Sequence, residues 1–415
     1  MPELLHTVRR MTGRDPAESG RASTPLELLF DLTFVIAFGA AADALAHALA
    51  EDHVGGGVLA FLLATFAVSW AWINFTWFAS AYDTDDWPFR LTTMVQMVGV
   101  LVLALGIPDM FASVTHHEEH LDIQLMVVGY VIMRLPMVFQ WLRAGREDPE
   151  RRALCSKMVG TLVVAQVGWV LMIFANPPMG LAVVIVLVLA GIELAGPLLA
   201  ERLHGGTPWH GHHIAERYGL MVIIALGEGL LGTTAALGAL VAEGWSLDIV
   251  VLGLSGVALT FGVWWTYFVI PHGHLLAAHR DRSFAWGYGQ MFVFGAIVAT
   301  GAGLHTAAYY LDDKSELDAT GTVLTVAVPV AAYIALLYLL YSLLTRTLDP
   351  FHTVLIAGSA VLLVLTVGLA WAGLDMVWCL AVLALVPWVT VVGYETVGHR
   401  HNAEVLGHAL TAIED

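Results

Sequence analysis

The chain has 415 residues, of which 58% are hydrophobic and only 13% charged, with a formal net charge of −17. A soluble chain of this length would divide into domains with polar surfaces, which this composition excludes. The acidic excess lies in short loops with no concentrated basic patch, which argues against a nucleic-acid partner.

Residues 1–25 are polar, without an apolar core ahead of a small-residue cleavage site, so they read as a tail rather than a cleavable leader. After them, about 12 segments are apolar enough to cross a bilayer, where roughly 20 residues are needed. They run near 26–50, 55–80, 88–113, 121–143, 153–175, 178–202, 212–241, 247–271, 282–310, 319–345, 352–373 and 375–397. The basic residues fall on or near one face, in every second gap: Arg9, Arg10, Arg14, Arg21, Arg90, Arg143, Arg146, Arg151, Arg152, Lys157, Arg202, Arg217, Arg280, Arg282, Arg346 and Arg400. Lys314 alone sits on the other side, and Arg134 alone lies deep in a span. Because Lys and Arg set orientation, this bias predicts an all-α integral membrane protein with both termini inside. Trp87, Trp209 and Trp245 lie near span ends, where indole rings suit the membrane interface. Cys155 and Cys379 fall in different environments, so no disulfide is expected.

The spans repeat. Phe30 to Gly39 lies over Tyr218 to Gly227, Trp72 answers Trp264, and Arg90 answers Arg282. Further on, Asp148-Pro149 answers Asp349-Pro350, and Gly191-Ile192-Glu193 answers Gly393-Tyr394-Glu395. An even number of spans per copy predicts two parallel six-helix repeats about an axis along the membrane normal. The expected organisation is a cytoplasmic tail over 1–25, repeats over 26–202 and 203–398, and a second cytoplasmic tail over 399–415.

Two motifs carry a family resemblance. The run LELLFDLTFVIAF, Leu26 to Phe38, and the run from His213 to Gly219 continuing through Ile223 to Glu228 resemble the bacterial low temperature requirement protein A family. The resemblance spans essentially the whole chain and implies a multi-pass protein of the bacterial cytoplasmic (inner) membrane. It brings no settled biochemical activity.

Ionisable groups inside a span are costly and mark functional candidates. Glu27 and Asp31 are four apart and share a helix face. Either they act, or Glu27 begins the helix and Asp31 pairs with an arginine. Glu228, flanked by Gly227, Gly229 and Gly232, sits near or beyond mid-membrane, where a carboxylate can carry a proton or pair with Arg134. Arg134, beside Pro136, needs a carboxylate, and Glu228, Asp31 and Glu193 are the candidates. Glu193 and Glu395 recur in both repeats as pairing or snorkelling groups. His305, inside the ninth span, is either a proton relay or a core histidine.

His212, His213 and Glu216 fall at helical spacings that could offer ligands to a divalent metal such as zinc; the alternatives are capping, pairing with Arg217, or a solvated loop. The acidic loop Asp83 to Asp86 suggests helix-start capping more than a calcium site. No nucleophile elbow, P-loop, dinucleotide fingerprint or H-E-x-x-H run is present, and no cofactor is assigned.

Taken together, these features predict a secondary transporter or permease for a small solute or ion, with its path between the two halves. Asp31, Arg134, Glu228 and His305 would form its buried polar network, with Glu228 as proton carrier. The alternatives are a membrane-embedded metal- or cofactor-dependent enzyme using the cytoplasmic histidines, and a structural or sensory membrane protein. Lipid is the one partner implied, with a small solute or proton as cargo; the oligomeric state is not legible.

Overall fold

A bilayer leaves backbone N–H and C=O groups no water to bond, so apolar runs of this length close their hydrogen bonds within helices. The computed structural model describes residues 8–241, 246–347 and 349–398. Among these residues it is all helical, apart from one isolated bridge between His120 and Pro178. The helices are α1 Pro25–Ala50, α2 Val54–Tyr82, α3 Trp87–Leu105, α4 Ile107–Thr115, α5 Gln124–Glu147, α6 Arg152–Ala175, α7 Met179–His204 and α8 Gly211–Val241. They continue as α9 Leu247–Phe268, α10 His272–Ala278, α11 Ser283–Leu311, α12 Ala319–Thr345, α13 Pro350–Trp371, α14 Met376–Leu383 and α15 Val386–Gly393.

Among the described residues, twelve helical segments are long and apolar enough to cross a membrane, and they match the predicted spans in number and order. Three of them are interrupted. The third breaks between α3 and α4 at Gly106, just before Pro108. The eighth divides into α9 and α10, and the twelfth passes from α14 to α15 and ends in a π-turn over Tyr394–Gly398. Helix starts follow local chemistry. Thr24 and Glu27 form a capping box, each side chain accepting from the other's backbone N–H, at 2.7 and 3.3 Å. Asp86, Asp318, Asp349 and Asp375 cap α3, α12, α13 and α14.

The chain divides into two compact units. Among the described residues, unit 1 comprises 8–41 and 67–214, and unit 2 comprises those of 42–66 and 215–398, so the division falls within α1, α2 and α8. In unit 1, Phe30, Phe75 and Phe78 join Trp72 and Trp141 in a buried aromatic core. In unit 2, α11 is the most enclosed span, and it packs through small residues such as Gly301 and Gly303.

The N-terminal segment is fastened down. The Arg9 backbone N–H donates to Asp86, that of Met11 to Glu147 and that of Gly13 to Asp148, while the Met11 side chain is fully buried. Trp87 is half exposed, as an interfacial ring would be, whereas Trp209 is buried edge-on against Trp77 at 5.0 Å. That inward packing overrides the interfacial placement expected from its position. Trp245 and the tail 399–415, Arg400 included, lie outside the described residues. Cys155 and Cys379 are both free and buried.

Candidate functional site

Among the described residues, unit 1 holds several groups of buried charges. At the start of α1, Glu27 is fully enclosed, with His213 Nε2 at 3.2 Å, Arg21 at 3.7 Å and the Thr24 N–H as partners. Arg21 also reaches Asp83 at 3.6 Å. Asp83 lies in the loop after α2, where burial, and then the nearby Glu27 carboxylate, raise its pKa to about 6. The rest of the acidic loop is neutralised. Asp85 pairs with Arg90 at 2.8 Å, and Asp86 accepts from Phe89 N–H while binding Arg143 at 2.6 and 3.0 Å. Capping and pairing account for this loop.

One turn along α1 from Glu27, Asp31 is buried and accepts a 2.6 Å hydrogen bond from Trp72 Nε1. Deeper in unit 1, Glu193 on α7 gathers four donors: Trp70 and Trp169 through their indoles, the Tyr130 hydroxyl, and Arg134 at 3.3 Å. Arg134 also lies 4.5 Å from the Tyr130 ring centroid, a cation–π contact. Of the three carboxylates that the sequence offers Arg134, Glu193 takes it. A carboxylate holding four donors on three neighbouring helices is a strut: its charge is compensated and little of its accepting capacity is left.

Unit 2 holds a group of different character. His305 on α11 places Nδ1 3.0 Å from Asp43 Oδ1 on α1, and its ring lies against α8, where a Cβ on Gly232 would stand 3.0 Å from its Cδ2. Glu228, one turn before Leu231 on α8, is 2% exposed and feels the charges of both Asp43 and His305. Among the described residues no hydrogen bond holds its carboxylate. Asp43 itself has 69% of its side chain exposed, His305 only 18%. The three groups therefore step from an open carboxylate, through an imidazole, to a closed carboxylate.

Small residues make this arrangement. A Cβ on Gly301 would stand 2.6 Å from the Glu228 carbonyl carbon, and one on Gly232 would stand 2.6 Å from the Gly301 oxygen. Only glycine lets α8 and α11 approach closely enough to bring Glu228 beside His305. Along their own helices, Asp43, Glu228 and His305 lie about 27, 26 and 33 Å from the first residue, at ~1.5 Å per residue. Their spans are the first, seventh and ninth, which run in one direction if every segment crosses, so all three fall in the second half of the crossing.

The predicted site residues thus separate. Glu228 and His305 come together in unit 2; Arg134 and Glu193 come together in unit 1, as do Glu27 and His213. Of the expected metal set, His213 is buried against Glu27, whereas His212 and Glu216 are exposed. Arg217 is completely buried. Asp43, Tyr130, Trp70 and Trp169 were absent from the candidates. Asp43 carried a usable signal, being an acid inside an alanine-rich apolar run and four residues before His47.

Apolar helices crossing twelve times, with ionisable side chains enclosed between them, define a multi-pass membrane protein. The chain belongs to the bacterial low temperature requirement A protein (LtrA) family, whose model matches residues 22–387. It is similar to an uncharacterized protein of Rhizobium meliloti (strain 1021), 28% identical over 308 residues that cover 70% of each chain. No solved structure matches.

Proposed function

We propose that this protein is a secondary transporter of the bacterial inner membrane, with Glu228 as its proton- or cation-handling group and His305 and Asp43 as the relay that reaches it. The observation that carries this reading is the contrast between two buried carboxylates. Glu193 is held by four donors, while Glu228 is enclosed with no hydrogen bond among the described residues and sits beside an ionisable pair. An exposed carboxylate such as Asp43 inside a span is tolerable where water reaches it, and a water-filled approach is what a transport path requires.

We also infer an N-in, C-in topology and a duplicated six-span plan. The basic residues on alternate loops support the first. The second is supported by landmarks that recur in the same order, from Trp72 and Trp264 to Glu193 and Glu395.

A second reading, a membrane protein without turnover, is favoured by the saturated Glu193 cluster, which is built for rigidity. Reconstituted flux separates the two. The full chain in liposomes carrying an internal pH-sensitive dye should pass protons under an imposed potential, and Glu228→Gln should abolish the signal. Equal dye responses from the protein and from empty liposomes would favour the second reading.

A further inference from the structure

An apolar groove of about 650 Å³ opens on unit 2, walled by the end of α1, the start of α2, α11 and α12. Leu49, Val58, Phe61, Phe292, Leu324 and Val328 supply most of its surface. Val328 is 60% exposed and Phe292 57%, so no other part of the described residues covers it, and all its helices are membrane spans. The hydroxyls in its wall ask for nothing. Thr65 donates to the Phe61 carbonyl and Thr325 to the Thr322 carbonyl, each at 2.7 Å. A polar solute would find no partner here, whereas hydrocarbon would lose none.

The groove has a direction. Its α2 wall, Val54 to Phe66, is about 18 Å long and its α12 wall, Gly321 to Leu336, about 22 Å, at ~1.5 Å per residue. Half of a ~30 Å hydrocarbon core is about 15 Å, the depth of one leaflet. One end of the groove meets the α1–α2 turn and the segment before α12, which are joined by the Glu316 N–H donating to the Ala50 carbonyl at 2.7 Å. That rim exposes Glu51, Asp52, Asp312, Asp313, Glu316 and Asp318. Its one basic residue, Lys314, is already paired with Asp312 at 2.8 Å, and His47 and His53 lie beside Glu51. The rim is therefore electronegative and would repel a purely anionic headgroup.

We propose that this groove holds one acyl chain of a phospholipid whose headgroup carries an ammonium group, seated at the acidic rim near Glu51 and Glu316. The site is independent of the Glu228 relay, so failure of either proposal leaves the other standing.

Native mass spectrometry of the purified full chain tests it, with phosphatidylethanolamine and phosphatidylglycerol of matched acyl chains offered separately. About 1 kcal/mol per headgroup charge corresponds to roughly five-fold, so retention of phosphatidylethanolamine should exceed that of phosphatidylglycerol by at least about five-fold. Gly295→Leu should remove the bound lipid, since its new Cβ meets only Thr65 and Phe61 at 3.7 to 4.0 Å and the rest of the side chain enters the groove. Val328→Trp fills the same space from the exposed wall and serves if the first variant does not fold. Glu51→Lys with Glu316→Lys should keep a bound lipid and reverse the headgroup preference. Equal retention of the two lipids by the unaltered chain would overturn the proposal. So would undiminished lipid in a folded groove-filling variant, or an unchanged preference in the charge-reversed one.

Discussion

Glu193 offers the sharpest test of how this bundle is held together. Among the described residues its carboxylate is the sole anion bonded to the Arg134 guanidinium, which is 2% exposed, and it also accepts from two indoles and one phenol. Glu193→Gln keeps an acceptor of similar shape for the neutral donors but leaves a buried cation without its counter-charge. Removing one partner of a buried ion pair costs about 3–5 kcal/mol, whereas interhelical hydrogen bonds between neutral groups in membranes average about 0.6 kcal/mol. The lost charge therefore dominates, and the expected loss is about 3 kcal/mol. Circular dichroism during titration from mild detergent into SDS reads this as an earlier midpoint. Arg134→Met added to Glu193→Gln removes the orphaned cation and should recover about 2 kcal/mol. A single variant within about 0.5 kcal/mol of the unaltered protein, or a double variant no better than the single, would refute the strut.

Other consequences follow from the same contacts. Asp83, raised to about 6 by burial and by Glu27, binds its proton more tightly folded than unfolded, so its contribution is greatest below pH 4 and is lost as pH rises through 6. A shift of that size is worth about 3 kcal/mol, and Asp83→Asn should flatten the SDS midpoint against pH across this window. Gly301→Ala forces α8 from α11 at Glu228 and should cost about 1–3 kcal/mol, read by the same titration. Trp72→Phe removes the 2.6 Å donor to Asp31 and should cost about 1–2 kcal/mol, with no loss if that bond is idle.

Much of the fold could be read directly from the residues, because hydropathy and helix length are local properties. All twelve spans and the capping role of the acidic loop at Asp83 to Asp86 were legible in this way, and so was the entry of Glu27 as a helix-start residue. Partners across helices were not. Arg134 had three eligible carboxylates in the sequence, and only packing selects Glu193 through Tyr130 and the indoles of Trp70 and Trp169. For His213, spacing fits a metal ligand, a cap or a charge pair alike, because position along α8 cannot reveal that Glu27 of α1 meets it. Asp43 lies near the end of its span and gains significance only from His305, more than 250 positions away, so its role is not legible from spacing. Trp209 followed the rule for interfacial aromatics until Trp77 provided a buried surface for it.

Proton movement through Glu228 is the claim on which the functional reading rests. The decisive comparison is dye-reported proton flux in liposomes containing the full chain, Glu228→Gln, or Glu216→Gln, an exposed control on the same helix. Flux by the unaltered chain and by Glu216→Gln, with none by Glu228→Gln, is the predicted result. Undiminished flux through Glu228→Gln would contradict it and leave Glu228 as packing between two glycine-rich helices.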